Sequence, residues 1–229
     1  MKNVKEKNNA LLLVLTPVII LLLCVGILIV ALIKPYNKMS VYLNLAFMDE
    51  FKTNPGDETN GLVIVDGNIK TDYSGETQTE GELIIPSFGE QYAVLQSSGF
   101  ELSVPVYWGS TSELLERGAC QATYSKLAGA AGNTVISAHE DTFFADLDVL
   151  KEGDTVTLYT NYGEFVYTVS SLISFNKNDN RYVNPTNDEC LTLYTCKKDI
   201  LGSSDERIGV ICKLTEKKFY VMTEEGTEN

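Results

Sequence analysis

The hydrophobic pattern divides the chain into two parts of different character. Residues 10–33 form a continuous run without a charged side chain. The run contains one proline, Pro17, and membrane helices tolerate proline better than soluble helices do. At about 1.5 Å per residue, a helix of this length spans roughly the 30 Å hydrocarbon core of a bilayer. A cleavable signal peptide has a shorter apolar part, of about 7–15 residues, followed by a small-residue cleavage site. The pattern therefore favours an uncleaved transmembrane helix over a signal peptide.

The charged flanks of this run predict a single-pass protein of the cell membrane. Three lysines and one glutamate precede the run, and two lysines follow it. Because cytoplasmic flanks carry the excess of Lys and Arg, we expect a cytoplasmic N-terminus and an extracellular remainder. The predicted organisation is a cytoplasmic tail (1–9), a transmembrane helix (10–33), a juxtamembrane stalk and acidic linker (34–80) and a folded domain (81–229).

Beyond the linker the pattern becomes that of short strands. The linker itself has turn and disorder signals, with the apolar island Leu62–Val65 as one possible added strand. Asn161–Gly163 predicts a compact hairpin loop, and Ser112–Arg117 and Leu147–Leu150 predict two short helical pieces, the first capped by its serine. The pattern therefore predicts a mainly β fold, a small closed barrel with short helices. The eight predicted strands are Leu83–Pro86, Tyr92–Leu95, Leu102–Tyr107, Thr134–Ala138, Thr155–Thr160, Glu164–Ile173, Glu189–Thr195 and Arg207–Leu214.

Charge and cysteine content exclude some functions and leave others open. The chain has 18 Lys and Arg against 31 Asp and Glu, which argues against nucleic acid as a partner because phosphate binding relies on basic patches. Four cysteines lie outside the apolar run, and an even number permits disulfides. A domain of this size can build its own core, so we favour free cysteines over a structural disulfide involving Cys196.

Cys196 stands at the end of a strand-like run and is the candidate nucleophile. Leu191 and Leu193 alternate with it and are expected to anchor the strand in the core, leaving Cys196 held but reachable. The thiolate is the reactive form of cysteine, and the following Lys197 and Lys198 are expected to favour it.

Two further residues supply the groups that a thiol nucleophile needs. His139, the only histidine of the chain, also ends a strand-like run, and an imidazole accepts and returns protons near neutral pH. Arg207 opens the run after Cys196 and carries a permanent charge with a planar donor fork, suited to an oxyanion or a substrate carbonyl. A capping histidine and a salt bridge from Arg207 to Asp205 or Glu206 are the structural alternatives.

Thr192–Cys196 resembles the TLxTC signature of the sortases, the cysteine transpeptidases of Gram-positive cell surfaces. Two departures accompany the resemblance. Ala138-His139-Glu140 stands where Gly-His-Arg is usual, which places an acid beside the imidazole, and Thr71–Gly75 is only an imperfect echo of an inhibitory lid motif. Asp141–Phe144 favours the class D-like branch over class A. Further segments similar to the family are Asn133–Phe144, Leu150–Asp154, Val104–Tyr107 and Leu115–Ala119, within residues 81–214.

The resemblance implies a closed eight-stranded β-barrel in residues 81–229 with its catalytic residues at one edge. Cys196 would attack the threonine carbonyl of an LPxTG-like sorting motif and form a thioester. His139 would protonate the departing amine and deprotonate the incoming one, while Arg207 would position the substrate and stabilise the oxyanion. Thr195, within the signature, is expected to contact the substrate.

The partners implied are sorting-motif peptides of secreted surface proteins and an amine of cell-wall precursor or pilin. No metal or organic cofactor is required by these steps. Two alternatives remain open: a thiol peptidase that hydrolyses the same thioester, and a catalytically silent surface barrel whose cysteines are paired.

Overall fold

The chain divides into two units, residues 1–55 and 56–229. In the first unit, the described residues of the predicted anchor are helical, and the rest of it, like the predicted tail, lies outside the described residues. No helix among the described residues is both long and apolar enough to cross a bilayer. This computed structural model describes residues 16–17, 20–25, 27, 62–198 and 204–221.

The second unit is built almost entirely from strands. Its described residues also contain one α-helical turn, α1 (Ser112–Leu115), and a short 3₁₀ helix at Leu147–Val149. The strands are β1 (Thr77–Gln78), β2 (Gln91–Ser97), β3 (Leu102–Trp108), β4 (Ala119–Gln121), β5 (Asn133–Ser137), β6 (Thr155–Thr160), β7 (Gly163–Asn176), β8 (Cys190–Cys196) and β9 (Glu206–Tyr220).

The strands close into a ring, which confirms the predicted eight-stranded barrel. The order is β9-β7-β6-β2-β3-β4-β5-β8, and β8 pairs with β9 to complete it. The pairs β3–β4 and β5–β8 are parallel, and the remaining pairs of the ring are antiparallel. The two-residue β1 adds to the outer edge of β9 and is not part of the ring.

Seven of the eight predicted strands are present, and the differences have physical causes. Leu83–Pro86 forms no strand: Pro86 lacks an N–H to donate, and the side chain of Ile85 is 77% exposed. The strand β4 has only three residues, too few to show an alternating pattern. The strand β9 runs six residues beyond Leu214, where its lysines and glutamates mask the pattern that continues to the buried Phe219 and Tyr220.

Alternation along β7 supplies much of the core. The side chains of Phe165, Tyr167 and Val169 point into the barrel and are at most 2% exposed. The hairpin between β6 and β7 is confirmed, and the Tyr162 hydroxyl in its turn donates to the Ala128 carbonyl at 3.0 Å. Both helical pieces are also confirmed, although Thr111 rather than Ser112 caps α1.

The described part of the acidic linker, from residue 62 onward, contacts the barrel surface. Val65 forms a single bridge with Glu90, so the apolar island adds no full strand. Asp66 accepts hydrogen bonds from Arg117 at 2.7 and 2.8 Å and from the Tyr107 hydroxyl at 3.0 Å. These contacts hold residues 62–66 against the β3–α1 side of the barrel.

The imperfect lid echo Thr71–Gly75 lies far along β9 from Arg207. Tyr73 stacks on Tyr220 with ring centroids 3.9 Å apart, and its hydroxyl donates to the Val221 carbonyl at 3.3 Å. Tyr220 ends β9 and Arg207 lies near its start, a separation of about 40 Å along the strand. The segment is therefore anchored at the end of β9 opposite to Arg207.

A buried asparagine anchors the loop between β7 and β8. The Asn133 side chain is 3% exposed and donates to the carbonyls of Tyr182 at 3.0 Å and Asn184 at 3.2 Å. It accepts a hydrogen bond from the Thr192 hydroxyl at 2.9 Å. One amide thus ties β5, β8 and the loop together at the start of β8.

We expect Asn133→Ala to lower the free energy of unfolding by about 2 kcal/mol, because each buried polar group left unpaired costs about 1–3 kcal/mol. Urea denaturation of the full-length chain measures the loss. Asn178→Ala, an exposed position in the same loop, is the control and should change stability little. Equal effects of both substitutions would show that Asn133 is not the anchor of the loop.

Candidate active site

The end of β8 presents Cys196 beside Arg207. Cys196 is the last residue of β8, and its register partner across the barrel closure is Arg207 on β9. Leu191 and Leu193 are fully buried, as the alternation predicts, whereas Cys196 is partly exposed. The strand therefore holds the cysteine rigidly and leaves it accessible.

His139 follows the end of the neighbouring parallel strand. The last register pair of β5 with β8 joins Ser137 to Tyr194. One residue further, the Thr195 hydroxyl donates to the Ala138 carbonyl at 2.7 Å. This bond carries the alignment of β5 with β8 past the last ladder pair, so His139 and Cys196 are the next residues on two adjacent strands.

Arg207 does not form the salt bridges that the structural alternative requires. Asp205 pairs with Lys177 at 2.7 Å, and Glu206 pairs with Lys197 at 2.6 Å. The guanidinium of Arg207 donates to the carbonyls of Ser204 at 2.8 Å and Glu206 at 3.1 Å. Within the described residues it makes no salt bridge, and its positive charge lowers the pKa of the Cys196 thiol.

The ionisation of Cys196 differs from the sequence prediction. Burial raises the pKa of the thiol above its ordinary value, the guanidinium of Arg207 lowers it, and the carboxylates of Glu140 and Asp141 raise it. The two lysines that were predicted to favour the thiolate, Lys197 and Lys198, both have other partners. Lys197 pairs with Glu206, and the Lys198 ammonium donates to the Ala145 carbonyl at 2.6 Å.

The other three cysteines of the barrel are unsuited to nucleophilic attack. All five cysteines of the chain are free of disulfides. Burial raises the pKa of Cys120 and of Cys212 to about 12, and burial also raises that of Cys190. Because thiolate character and access both fall with burial, Cys196 is the reactive candidate among the cysteines of the barrel.

A cavity of about 340 Å³ opens beside Cys196. Its walls come from the end of β8, the start of β9 and the loop that follows His139. That loop is fixed by the buried Phe144, whose N–H donates to the His139 carbonyl at 3.1 Å. The lining residues are Glu140, Phe144, Ala145, Asp148, Thr195, Cys196, Lys197, Lys198 and Ile208.

Thr195 lies in the wall of this cavity but is only 2% exposed. Its hydroxyl donates to the carbonyl of Ala138, and this bond holds the residue that precedes His139. The contact of Thr195 with the substrate stays a prediction, and its main chain or its methyl group would make that contact.

An aromatic group near the site was not predicted from the sequence. It consists of Phe175, Tyr182 and Tyr194. Phe175 pairs in register with Arg207, so Phe175, Arg207 and Cys196 form one row across β7, β9 and β8. The ring of Phe175 lies 5.7 Å from that of Tyr194 and 5.4 Å from that of Tyr182. Registers across a barrel are long-range, and no local signal in the sequence would have found this row.

Glu140 was noticed in the sequence only as a neighbour of the histidine. In the structure it lines the same cavity as Cys196, and its carboxylate raises the pKa of the Cys196 thiol. No cluster of three or more His, Cys, Asp or Glu side chains suited to a metal ion occurs in the described part of the chain.

Comparison with known proteins identifies similar sequences and folds. Residues 83–215 match the family model described as "Sortase domain". Sortase D of Bacillus subtilis (strain 168) is 29% identical over 112 residues, which is 48% of this chain and 57% of that protein. The chain thus matches little more than half the length of this curated relative.

Solved structures show the same fold. A sortase A of Listeria monocytogenes superimposes with a TM-score of 0.52 at 21% identity, covering 58% of this chain and 92% of that one. A Clostridium perfringens Sortase D5 transpeptidase superimposes with a TM-score of 0.52 at 23% identity, covering 57% of this chain and 82% of that one. The barrel is therefore of the sortase type, and the match to a Sortase D is consistent with the predicted class D-like branch.

We expect Arg207→Gln to raise the pKa of Cys196, because it removes the positive charge that favours the thiolate. The pH dependence of iodoacetamide alkylation at Cys196, followed by mass spectrometry, should shift to higher pH. Arg181→Gln removes an exposed arginine that is paired with Asp179 and should leave the profile unchanged. A profile unaffected by Arg207→Gln would show that the guanidinium does not act on the thiol.

Proposed function

The chain belongs to the sortase family of cysteine transpeptidases, and we propose that it cleaves an LPxTG-like sorting motif and transfers the acyl group to an amine. The observation that carries the proposal is the position of three residues on consecutive strands of the closed barrel. Arg207 lies near the start of β9, Cys196 ends β8, and His139 follows the end of β5. Residues 10–33 would anchor this catalytic domain on the outer face of the membrane.

In the first half of the proposed reaction, Cys196 becomes acylated. The sulfur attacks the threonine carbonyl of the sorting motif, and a tetrahedral intermediate carries the negative charge on the former carbonyl oxygen. Arg207 lies directly across from the sulfur and would stabilise that charge. His139 would give a proton to the departing amine, leaving a thioester on Cys196.

In the second half, an amine resolves the thioester. His139 would take a proton from the incoming nitrogen, which then attacks the thioester carbonyl, and the C–S bond breaks to regenerate the cysteine. An amine of cell-wall precursor or of a pilin subunit fits this role. Water attacking in place of the amine would give the peptidase alternative, so the products distinguish the two reactions.

We expect Cys196→Ala to abolish product formation while leaving the thermal transition in place, because the residue ends a strand and fills no core position. The full-length chain in detergent micelles is incubated with a small library of LPxTG-like peptides, with and without an amine, and the products are identified by mass spectrometry. Cys190→Ser is the control that removes a different barrel cysteine.

A product joined to the amine, formed by the wild-type chain and by Cys190→Ser but not by Cys196→Ala, supports transpeptidation. A cleaved acid without a joined product supports the peptidase. Undiminished turnover in Cys196→Ala would overturn the assignment of the nucleophile.

We expect His139→Ala to lower kcat/KM by about 10²-fold or more, because the chain has no second histidine to transfer the proton. His139→Gln removes the imidazole but keeps much of the side-chain volume, and its rate should be as low as that of His139→Ala. Steady-state cleavage of a fluorogenic sorting peptide measures the rates. A rate for either variant close to that of the wild type would assign His139 a structural role.

A further inference from the structure

The cavity beside Cys196 combines apolar walls with a carboxylate next to the reacting atom. Ala145 and Ile208 provide apolar surface, and Glu140 lines the same cavity as Cys196. The loop that carries Glu140 is held by the buried Phe144, so the carboxylate stands on a fixed support.

The cavity is lined by two carboxylates, Glu140 and Asp148, and by two lysines, Lys197 and Lys198. Its two lysines are already engaged, Lys197 with Glu206 at 2.6 Å and Lys198 with the Ala145 carbonyl at 2.6 Å. Within the described part of the chain, Glu140 makes no ion pair. Its negative charge raises the pKa of the Cys196 thiol, an effect that ends when the sulfur is acylated.

We propose that Glu140 binds the ammonium group of the incoming amine in the acyl-enzyme, and that the cavity beside Cys196 is the acceptor site. The proposal rests on the transpeptidase function proposed above and gives that function an acceptor-specificity residue. The sulfur of the thioester carries neither a charge nor a proton, and the carboxylate of Glu140 in the same cavity can then accept from a cationic donor. A charge-assisted hydrogen bond from an ammonium to a carboxylate is about twice as strong as a neutral one.

In the transfer step, each proton and each electron pair has a defined destination. The ammonium held by Glu140 gives one proton to the neutral imidazole of His139, and the nitrogen lone pair forms the C–N bond at the thioester carbonyl. The C–S bond breaks and its electron pair returns to the sulfur of Cys196. The second proton lost by the nitrogen protonates that sulfur, leaving an amide, a thiol and an imidazolium.

The apolar walls select the form of the amine. Ala145 and Ile208 offer a surface for the methylene chain of an aliphatic primary amine, while Glu140 holds its charged end. An uncharged nucleophile gains nothing from the carboxylate, so the effect of Glu140 should depend on the charge of the acceptor.

The test compares two amines on a preformed thioester. The full-length chain in detergent is acylated at Cys196 with a small thioester donor by thiol exchange, which does not depend on the sorting motif. Loss of the acyl-enzyme is followed by mass spectrometry against the concentration of n-butylamine, a cation at neutral pH, or of hydroxylamine, which is uncharged there. Glu101→Gln, in the exposed turn between β2 and β3, is the charge-matched control.

We expect Glu140→Gln to raise the half-saturating concentration of n-butylamine roughly tenfold and to leave the reaction with hydroxylamine unchanged. Glu101→Gln should behave as the wild type does with both amines. Equal use of n-butylamine by Glu140→Gln and the wild type, or an equal loss with both amines, would overturn the role of Glu140. If amines fail to accelerate deacylation even in the wild-type chain, the proposed transpeptidation itself fails.

Discussion

The pairing of β8 with β9 is the constraint on which the active end of the barrel depends. It is the contact that closes the ring, and it fixes Cys196 opposite Arg207 through seven consecutive register pairs. The parallel pairing of β5 with β8, extended by the hydrogen bond from Thr195 to Ala138, then sets His139 beside the same end. Because each of these residues sits at or just beyond a strand end, closure of the barrel brings the three together.

Much of the barrel could be predicted from the sequence because its strands are half buried and alternate. Phe165, Tyr167 and Val169 give β7 its period of two, and burial confirms that face. The types of the site residues were likewise visible, since Cys196, His139 and Arg207 lie at the boundaries of apolar runs. Their neighbours were not, because register across a closed barrel depends on residues far apart in sequence. The row of Phe175, Arg207 and Cys196 is a product of that register.

Local composition misled the interpretation where tertiary contacts decide the structure. The acidic segment before the barrel reads as a disordered linker, yet Asp66 and Tyr73 each engage the barrel surface with specific partners. The lysines after Cys196 read as a source of positive charge for the thiolate, yet Glu206 and the Ala145 carbonyl already engage them. The role of a charged side chain depends on the polar group that it contacts, and that group is not adjacent in the sequence.

Glu140 imposes opposite demands on the two halves of the reaction. In the free enzyme its carboxylate raises the pKa of Cys196, as burial does, and so reduces the fraction of reactive thiolate against the opposing effect of Arg207. Once the sulfur is acylated it bears no charge and no proton, so the carboxylate no longer opposes any ionisation. The same negative charge then favours a cationic acceptor over water. An arginine at this position would assist the thiolate but repel an ammonium, so Glu140 favours amine transfer at the expense of acylation.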